Sequence, residues 1–297
     1  MGNAIKDRYN YESLRKLALD IKSVYSDFQT DGFLQATIDE TWEARELKDR
    51  ITRISENLGK YLPADFETAV GIMDQIVMNY GSWLDNYAGF FPGFVELYGR
   101  DEANWDISMA ALARYTQYAS SEFAVRWFII NHEERMMKQM YAWSKDENEC
   151  IRRLASEGCR PALPWGQALT GFKKDPAPIL PILRQLKADS SLHVRKSVAN
   201  NLNDISKTHP NLVMELAKDW YGKNAYTDWI VKHGCRTLLK KGSSEVLALF
   251  GYECAPSVEV QDFRLGETAI SIGEDVTFSF EILAEEASKI RLEYGID

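Results

Sequence analysis

The chain has 297 residues, of which 45% are hydrophobic, enough for a large core in one domain or two. It contains no apolar run of membrane-spanning length, and it lacks a secretion signal. Its four cysteines lack the spacing of a zinc site or a disulfide framework, so we expect a reducing cytoplasm and no metal. The net charge of −9 is uneven, because residues 145–245 carry 17 Lys and Arg against 11 Asp and Glu. This basic segment could face phosphates, or it could be an ordinary solvated surface.

The first 250 residues are predicted to form helices joined by short connections. Between Tyr11 and Val24, for example, Leu14, Leu17 and Ile21 recur at helical spacing. Glycine and proline mark many of the connections. Helices are predicted at 11–24, 32–46, 48–61, 65–79, 82–98, 105–119, 122–130, 133–143, 147–157, 177–188, 191–206, 210–221, 225–240 and 243–249.

A short motif recurs near several predicted helix starts and indicates an internal repeat. Arg152 and Arg195 lie 43 residues apart in two copies, and Lys232 follows Arg195 after 37 residues. Paired helices with a period near 40 residues are typical of HEAT repeats, which stack into a curved solenoid with a concave groove. We therefore predict a mainly α fold, a HEAT-like α-α superhelix covering residues 1–254. The copies of the motif are Phe123-Ala-Val-Arg126, Cys150-Ile-Arg-Arg153, His193-Val-Arg-Lys196 and Trp229-Ile-Val-Lys232.

The last forty residues have a different pattern. Apolar and polar residues alternate over 258–265, again over 275–283 and once more over 290–294. Residues 272–275 form a predicted turn between the first two of these strands. Residues 256–297 are therefore predicted to begin an antiparallel β-sandwich that is cut short.

The densest group of chemically active side chains lies at 151–165. Arg153 and Glu157 are four residues apart and share a helix face, and the helix is predicted to end at Gly158. A proline-rich turn then places Trp165. Arginines bind phosphates and an indole stacks on bases, while a carboxylate beside such a base could face the sugar. The alternative is a helix ion pair with a core tryptophan at a repeat junction.

Two further carboxylates are candidates. Asp204 lies beside the buried stripe of a predicted helix, three residues after Asn201, and could point into a groove. The alternative is that Asp204 orders the next turn of a HEAT repeat. Glu122 opens a predicted helix, either as an acid favoured by the helix dipole or as a site acid.

Aromatic and basic residues also interleave further along the chain. Trp229, Lys232 and Arg236 have the spacing of one helix face, as on surfaces that bind nucleic acids. A solvated charged face around a core tryptophan is the alternative. The aromatic residues Trp83, Tyr87, Phe90, Phe91 and Phe94 are predicted to belong to the core.

Three strings resemble the AlkC branch of the DNA alkylation-repair HEAT proteins. The first is Arg152-Arg-Leu-Ala-Ser-Glu-Gly-Cys-Arg-Pro-x-Leu-Pro-Trp165. The others are Val194-Arg-Lys-Ser-Val-Ala-Asn-Asn-Leu-Asn-Asp-Ile-Ser-Lys207 and His233-Gly-Cys-Arg-Thr-Leu-Leu-Lys-Lys-Gly242. The match is good over about 100–245 and general over 10–100. Some members carry a C-terminal immunoglobulin-like domain, which the β segment resembles.

The resemblance implies a DNA glycosylase of base excision repair. Such an enzyme hydrolyses the N-glycosidic bond of cationic N-alkylated bases of the 3-methyladenine type, and some members also act on 1-methyladenine and 3-methylcytosine. A cationic base leaves without an enzymic acid, so one fixed carboxylate can stabilise the sugar cation and orient water without metal or cofactor. The expected partner is double-stranded DNA with alkylated bases, bound by a monomer at the bacterial nucleoid, with no membrane partner.

Each candidate residue then receives an expected role. Glu157 is the first choice for the catalytic acid, followed by Asp204 and Glu122. Trp165 and Trp229 are expected to contact the lesion. Candidates for the DNA backbone are Arg153, Arg160, Arg195, Lys196, Lys232 and Arg236.

Two other functions remain open from the sequence. A non-catalytic HEAT protein that binds bent or damaged DNA would use the same basic face without needing Glu157. A HEAT scaffold for protein partners would suit the acidic flanks, and its binding need not weaken with salt as DNA binding does.

Overall fold

The computed structural model describes residues 4–81, 88–252, 258–267, 269–287, 289–292 and 295. It is mainly helical, as predicted, and the stacked helices are consistent with HEAT-like repeats. No helix in these ranges has the length and hydropathy needed to cross a membrane. The helices are α1 (Tyr11–Val24), α2 (Thr30–Thr37), α3 (Leu47–Tyr61), α4 (Phe66–Ile76), α5 (Phe90–Tyr98), α6 (Trp105–Tyr115), α7 (Val125–Asn131), α8 (Glu133–Trp143), α9 (Glu149–Glu157), α10 (Thr170–Lys174), α11 (Leu180–Leu186), α12 (Leu192–Ser206), α13 (Pro210–Trp220), α14 (Ala225–Gly234), α15 (Arg236–Lys240) and α16 (Ser244–Leu249).

The predicted helices agree with the structure in most places, with several differences. The helix predicted at 82–98 is α5 from Phe90 onward, and residues 82–87 lie outside the described residues. The helix predicted at 122–130 begins at Val125, so Glu122 lies in the turn before it and does not open it. The segment predicted at 32–46 is instead α2 followed by a short 3-10 helix at Trp42–Ala44. The segment predicted at 225–240 is two helices, because the backbone of Cys235 leaves helical geometry between α14 and α15. The short helix α10 was not predicted, since five residues carry no periodic pattern.

Aromatic side chains fill much of the core in the first half of the chain. Phe91 packs against Tyr80 and Tyr115, with ring centroids 5.3 and 5.4 Å away. Phe90, Phe91 and Phe94 are buried, as predicted. Trp83 and Tyr87 lie outside the described residues. Each buried ring of this size contributes about 1.5–3 kcal/mol of burial free energy.

Hydrogen bonds reproduce the predicted 43-residue repeat atom by atom. Arg152 Nη1 donates to the carbonyls of Asp146 and Glu147, six and five residues earlier. Arg195 Nη1 donates in the same way to the carbonyls of Asp189 and Ser190. These arginines therefore close corresponding turns before α9 and α12, and these two helices pack against each other.

The C-terminal segment forms a two-stranded antiparallel sheet, β1 (Val258–Leu265) with β2 (Phe278–Ala284). The register shifts between Gln261 and Arg264, where Asp262 has a φ of 51°. Residues 290–292 form no strand, and the rest of the third predicted strand lies outside the described residues. The predicted domain boundary at 254–256 lies outside them too.

Candidate functional site

Helix α9 carries the first part of segment 151–165, which has the densest group of chemically active side chains. Asn148 caps the helix, because its side chain accepts a hydrogen bond from the backbone N–H of Cys150 at 2.8 Å. Ile151 and Leu154 are buried on one face. Gly158 follows at the end, where an added Cβ would lie only 2.5 Å from the side chain of Val125. Only glycine fits there, and the chain then turns towards Trp165.

Acidic and basic side chains alternate across the end of α9. Arg153 Nη1 lies 2.6 Å from Glu122 Oε2, and Arg153 Nη2 lies 3.8 Å from Glu157 Oε1. Arg160 then bridges Glu157 Oε1 at 2.6 Å and Asp204 Oδ2 at 2.9 Å. The structure thus brings together the three carboxylates predicted separately from the sequence. We call Glu122, Arg153, Glu157, Arg160 and Asp204 the charged network.

Two carboxylates of the network each keep one oxygen available. All ion pairs of Glu157 use Oε1, and all contacts of Glu122 use Oε2, including the bond from Ser120 Oγ at 2.6 Å. Among the described residues, no hydrogen bond reaches the second oxygen of either. A carboxylate fixed through one oxygen can orient a water molecule or face a cation with the other.

These two carboxylates line a cleft of about 430 Å³. One wall comes from α3 and α5, and the other from the turn before α7 and the segment after α9. Asp204 does not line the cleft but lies behind Arg160, with its side chain 2% exposed and Lys207 3.1 Å away. The cleft is also lined by Lys48, Glu96, Phe123 and Trp165.

Trp165 combines exposure with backbone strain at the edge of the cleft. Its side chain is 74% exposed, which is unusual for an indole. Its φ of 61° lies in the left-handed region, which costs a bulky residue about 1–2 kcal/mol. Strain and exposure at one residue are typical of a binding position, not of a core tryptophan.

The sequence did not single out Arg126, which holds the segment that carries Trp165. Its guanidinium is buried and donates to the carbonyls of Gly158, Arg160 and Gln167. Burial, with some repulsion from Arg160, lowers the pKa of Arg126 to about 10. The Phe-Ala-Val-Arg motif placed Arg126 in a repeat, but an arginine inside a core has no pattern of its own in a sequence.

The six residues predicted for the DNA backbone differ in position. Arg160 is 7% exposed, and although burial disfavours its charge, Glu157 and Asp204 outweigh that effect and raise its pKa. Arg153 is in the network, and Arg195 closes a turn with its guanidinium over the ring of Tyr226. These positions favour structural roles. Lys196 and Lys232 are exposed, and Arg236, half-buried, donates to Asn200 Oδ1 at 3.0 Å.

Trp229 is not brought into the cleft. Its indole stacks on His233, with ring centroids 4.6 Å apart and planes within 9°. Burial, together with the charges of Arg236 and Lys196, lowers the pKa of His233. The rings of Trp229 and His233 therefore lie near the charged side chains of Arg236 and Lys196. Contact of Trp229 with the lesion stays a prediction that this geometry does not support.

Across the described ranges, no three His, Cys, Asp or Glu side chains form a cluster suited to a metal ion. The network is instead neutralised by arginines and Lys207. The carboxylates of the network are therefore held in place by Arg153, Arg160 and Lys207.

Comparisons with known proteins agree with this architecture. A family model described as DNA alkylation repair enzyme matches residues 102–238. The uncharacterized protein YhaZ of Bacillus subtilis (strain 168) is 46% identical over 294 residues, covering 99% of this chain and 81% of YhaZ. The Pseudomonas fluorescens alkylpurine DNA glycosylase AlkC, bound to DNA containing an abasic site analog, matches with a TM-score of 0.80 and 37% identity, covering 96% of this chain and 78% of AlkC. The chain belongs to the AlkC branch of the DNA alkylation-repair enzymes.

Proposed function

We propose that this protein is a DNA glycosylase that hydrolyses the N-glycosidic bond of cationic alkylated bases in double-stranded DNA. The observation that carries the proposal is the pair Glu122 and Glu157, fixed by arginines through one oxygen each and lining a cleft beside the exposed indole of Trp165. The solved relative, AlkC, is an alkylpurine DNA glycosylase in complex with DNA. The same fold and branch support the same class of reaction here.

The chemistry of the proposed reaction matches these side chains. An alkylated cationic base is already a good leaving group, so the enzyme must mainly stabilise positive charge that develops on the sugar. A carboxylate held in place before the reaction stabilises that charge without reorganisation, and it can orient the attacking water. The indole of Trp165 offers an electron-rich face to a cationic base.

Within the network we propose different roles for the three acids. Glu157 and Glu122 act on the sugar and the water, because both line the cleft. Asp204 supports them by holding Arg160, since both its oxygens already take ion pairs. Arg153 and Arg160 orient the carboxylates, while Lys196, Lys232 and Arg236 face the DNA backbone. We propose that the protein acts as a monomer on lesions of the 3-methyladenine type.

The test is release of methylated bases from duplex DNA treated with a methylating agent. The parent chain is expected to release 3-methyladenine, detected by chromatography of the soluble fraction. Glu157→Gln is expected to lose this release while it still binds the duplex. Glu215→Gln is the matched control, because Glu215 is exposed on α13, away from the network.

Other results of this experiment would change the proposed function or the proposed acid. Release by Glu157→Gln at the parent's rate would move the essential acid to Glu122 or Asp204. Absence of release by the folded parent, with duplex binding retained, would contradict the glycosylase and favour a module that only binds DNA. Binding that does not weaken with salt would contradict a DNA-backbone interface.

A further inference from the structure

Lys48 connects the N-terminal helices to the tryptophan at the cleft. It lies at the start of α3 and is exposed, on the wall opposite the charged network. Its Nζ donates a hydrogen bond of 2.8 Å to the backbone carbonyl of Trp165, 117 residues further along the chain. The same ammonium lies 4.8 Å from the ring centroid of Phe123. Two contacts thus fix an otherwise flexible side chain across the cleft.

The backbone of Trp165, which Lys48 contacts, is strained and needs surrounding contacts to keep its conformation. Trp165 has a φ of 61°, a conformation that persists only where the surroundings enforce it. Arg126 holds the same segment from inside, but its bonds go to the carbonyls of Gly158, Arg160 and Gln167. Within the described part of the chain, Lys48 is the side chain that binds the peptide carbonyl of Trp165 itself.

The wall that carries Lys48 also favours an ammonium at this place. Glu96, on α5, lines the cleft near Lys48. Burial raises the pKa of Glu96, and the charges of Arg100 and Lys48 oppose that rise. Lys48 therefore lies between a carboxylate on its own wall and the carbonyl and aromatic ring on the other.

We propose that Lys48 is a positioning residue, which sets the orientation of the Trp165 indole towards the lesion. The proposal rests on the proposed function, because the orientation matters for activity only if Trp165 contacts the damaged base. Helix α3 thereby completes a site whose charged residues all come from later in the chain. A misplacement of about 1 Å at such a contact can cost a large part of the rate.

A different role for Lys48 makes different predictions. If Lys48 contacted a DNA phosphate, its loss would weaken binding whether or not Trp165 is present, and it would reduce the salt dependence of binding. If Lys48 acts through Trp165, its loss should have no further effect once the indole is gone. A double-mutant cycle separates these two roles.

The first experiment reads the contact in the free protein. The eight tryptophans are replaced by 5-fluorotryptophan, and Trp165→Phe assigns the Trp165 signal by fluorine NMR. Lys48→Met is expected to shift or broaden that signal. Lys60→Met is the matched control and should leave it unchanged, because Lys60 lies on the same helix and, among the described residues, is bonded only to Asn57. An unchanged Trp165 signal in Lys48→Met would overturn the proposal.

The second experiment measures single-turnover release of methylated base. Lys48→Met is expected to slow release about tenfold in the parent chain and to have no further effect in Trp165→Ala, while Lys48→Arg keeps most of the rate. Equal effects of Lys48→Met in both backgrounds would overturn the proposal and indicate a phosphate contact. Absence of release by the parent would contradict the proposed function, whereas the fluorine signal would still decide the positioning contact.

Discussion

At the scale of single residues, Trp165 has a strained backbone whose cost is not offset by burial of its own side chain. The side chain is 74% exposed, so burial recovers little of the strain of its left-handed backbone. An exposed side chain on a strained backbone is expected at a ligand-binding position. There the strained geometry is maintained for binding and not for stability.

This strain leads to a prediction for two substitutions of Trp165. Glycine adopts a positive φ without penalty, whereas alanine does not. The free energy of unfolding of Trp165→Gly should therefore exceed that of Trp165→Ala by about 1 kcal/mol, as measured by chemical denaturation. Both variants should release methylated base more slowly than the parent, because both lack the indole.

Two results for the glycine and alanine variants would contradict this prediction. Equal stabilities of the two variants would contradict the left-handed backbone at this position. Full activity of either variant would contradict the lesion contact assigned to the indole.

At the scale of elements, the Arg160–Asp204 pair connects the segment after α9 to α12. Both side chains are buried, and Arg160 also holds Glu157, so one guanidinium sets the spacing between two helices and the position of a cleft carboxylate. A buried ion pair adds little net stability, but removal of one partner leaves the other charge without compensation.

Asp204→Asn should therefore lower the free energy of unfolding by about 3 kcal/mol, because Arg160 loses a charged partner in a buried place. Lys207→Met removes the other cation bound to Asp204. Since the side chain of Lys207 is 49% exposed, its loss should cost less than about 1 kcal/mol. Urea denaturation of both variants measures the difference, and equal losses would contradict a buried Arg160–Asp204 connection.

The sequence predicted those features that repeat or that recur along a helix face. Most helices, though not α10, and the 43-residue spacing followed from periodicity. Glu157, Asp204 and Trp165 were candidates from residue type and spacing, and the resemblance then assigned their roles. The contacts of Arg126 and Lys48 could not be predicted, because each joins residues far apart in the chain. The burial of Arg160 was missed for the same reason, since its two carboxylate partners lie on different helices.

At the scale of the whole molecule, the cleft extends beyond the segment that carries the family's motifs. The motif strings lie after residue 150, yet α3 and α5 supply one complete wall. The N-terminal helices therefore shape the space in front of the charged network.

The C-terminal sheet keeps an apolar face in contact with solvent. Val260, Phe263 and Leu265 are each about half exposed or more. A second sheet packed on this face would bury these side chains.

We propose that Glu122 and Glu157 act together on the glycosidic bond. The most direct test is the single-turnover rate of base release from a methylated duplex for Glu122→Gln, Glu157→Gln and the double variant, with duplex binding measured alongside. We predict that each single variant loses at least about a hundredfold in rate with binding retained. The double variant should lose little more, as for residues that act as a unit. Rates near the parent's in both single variants, or losses that multiply in the double variant, would contradict the claim.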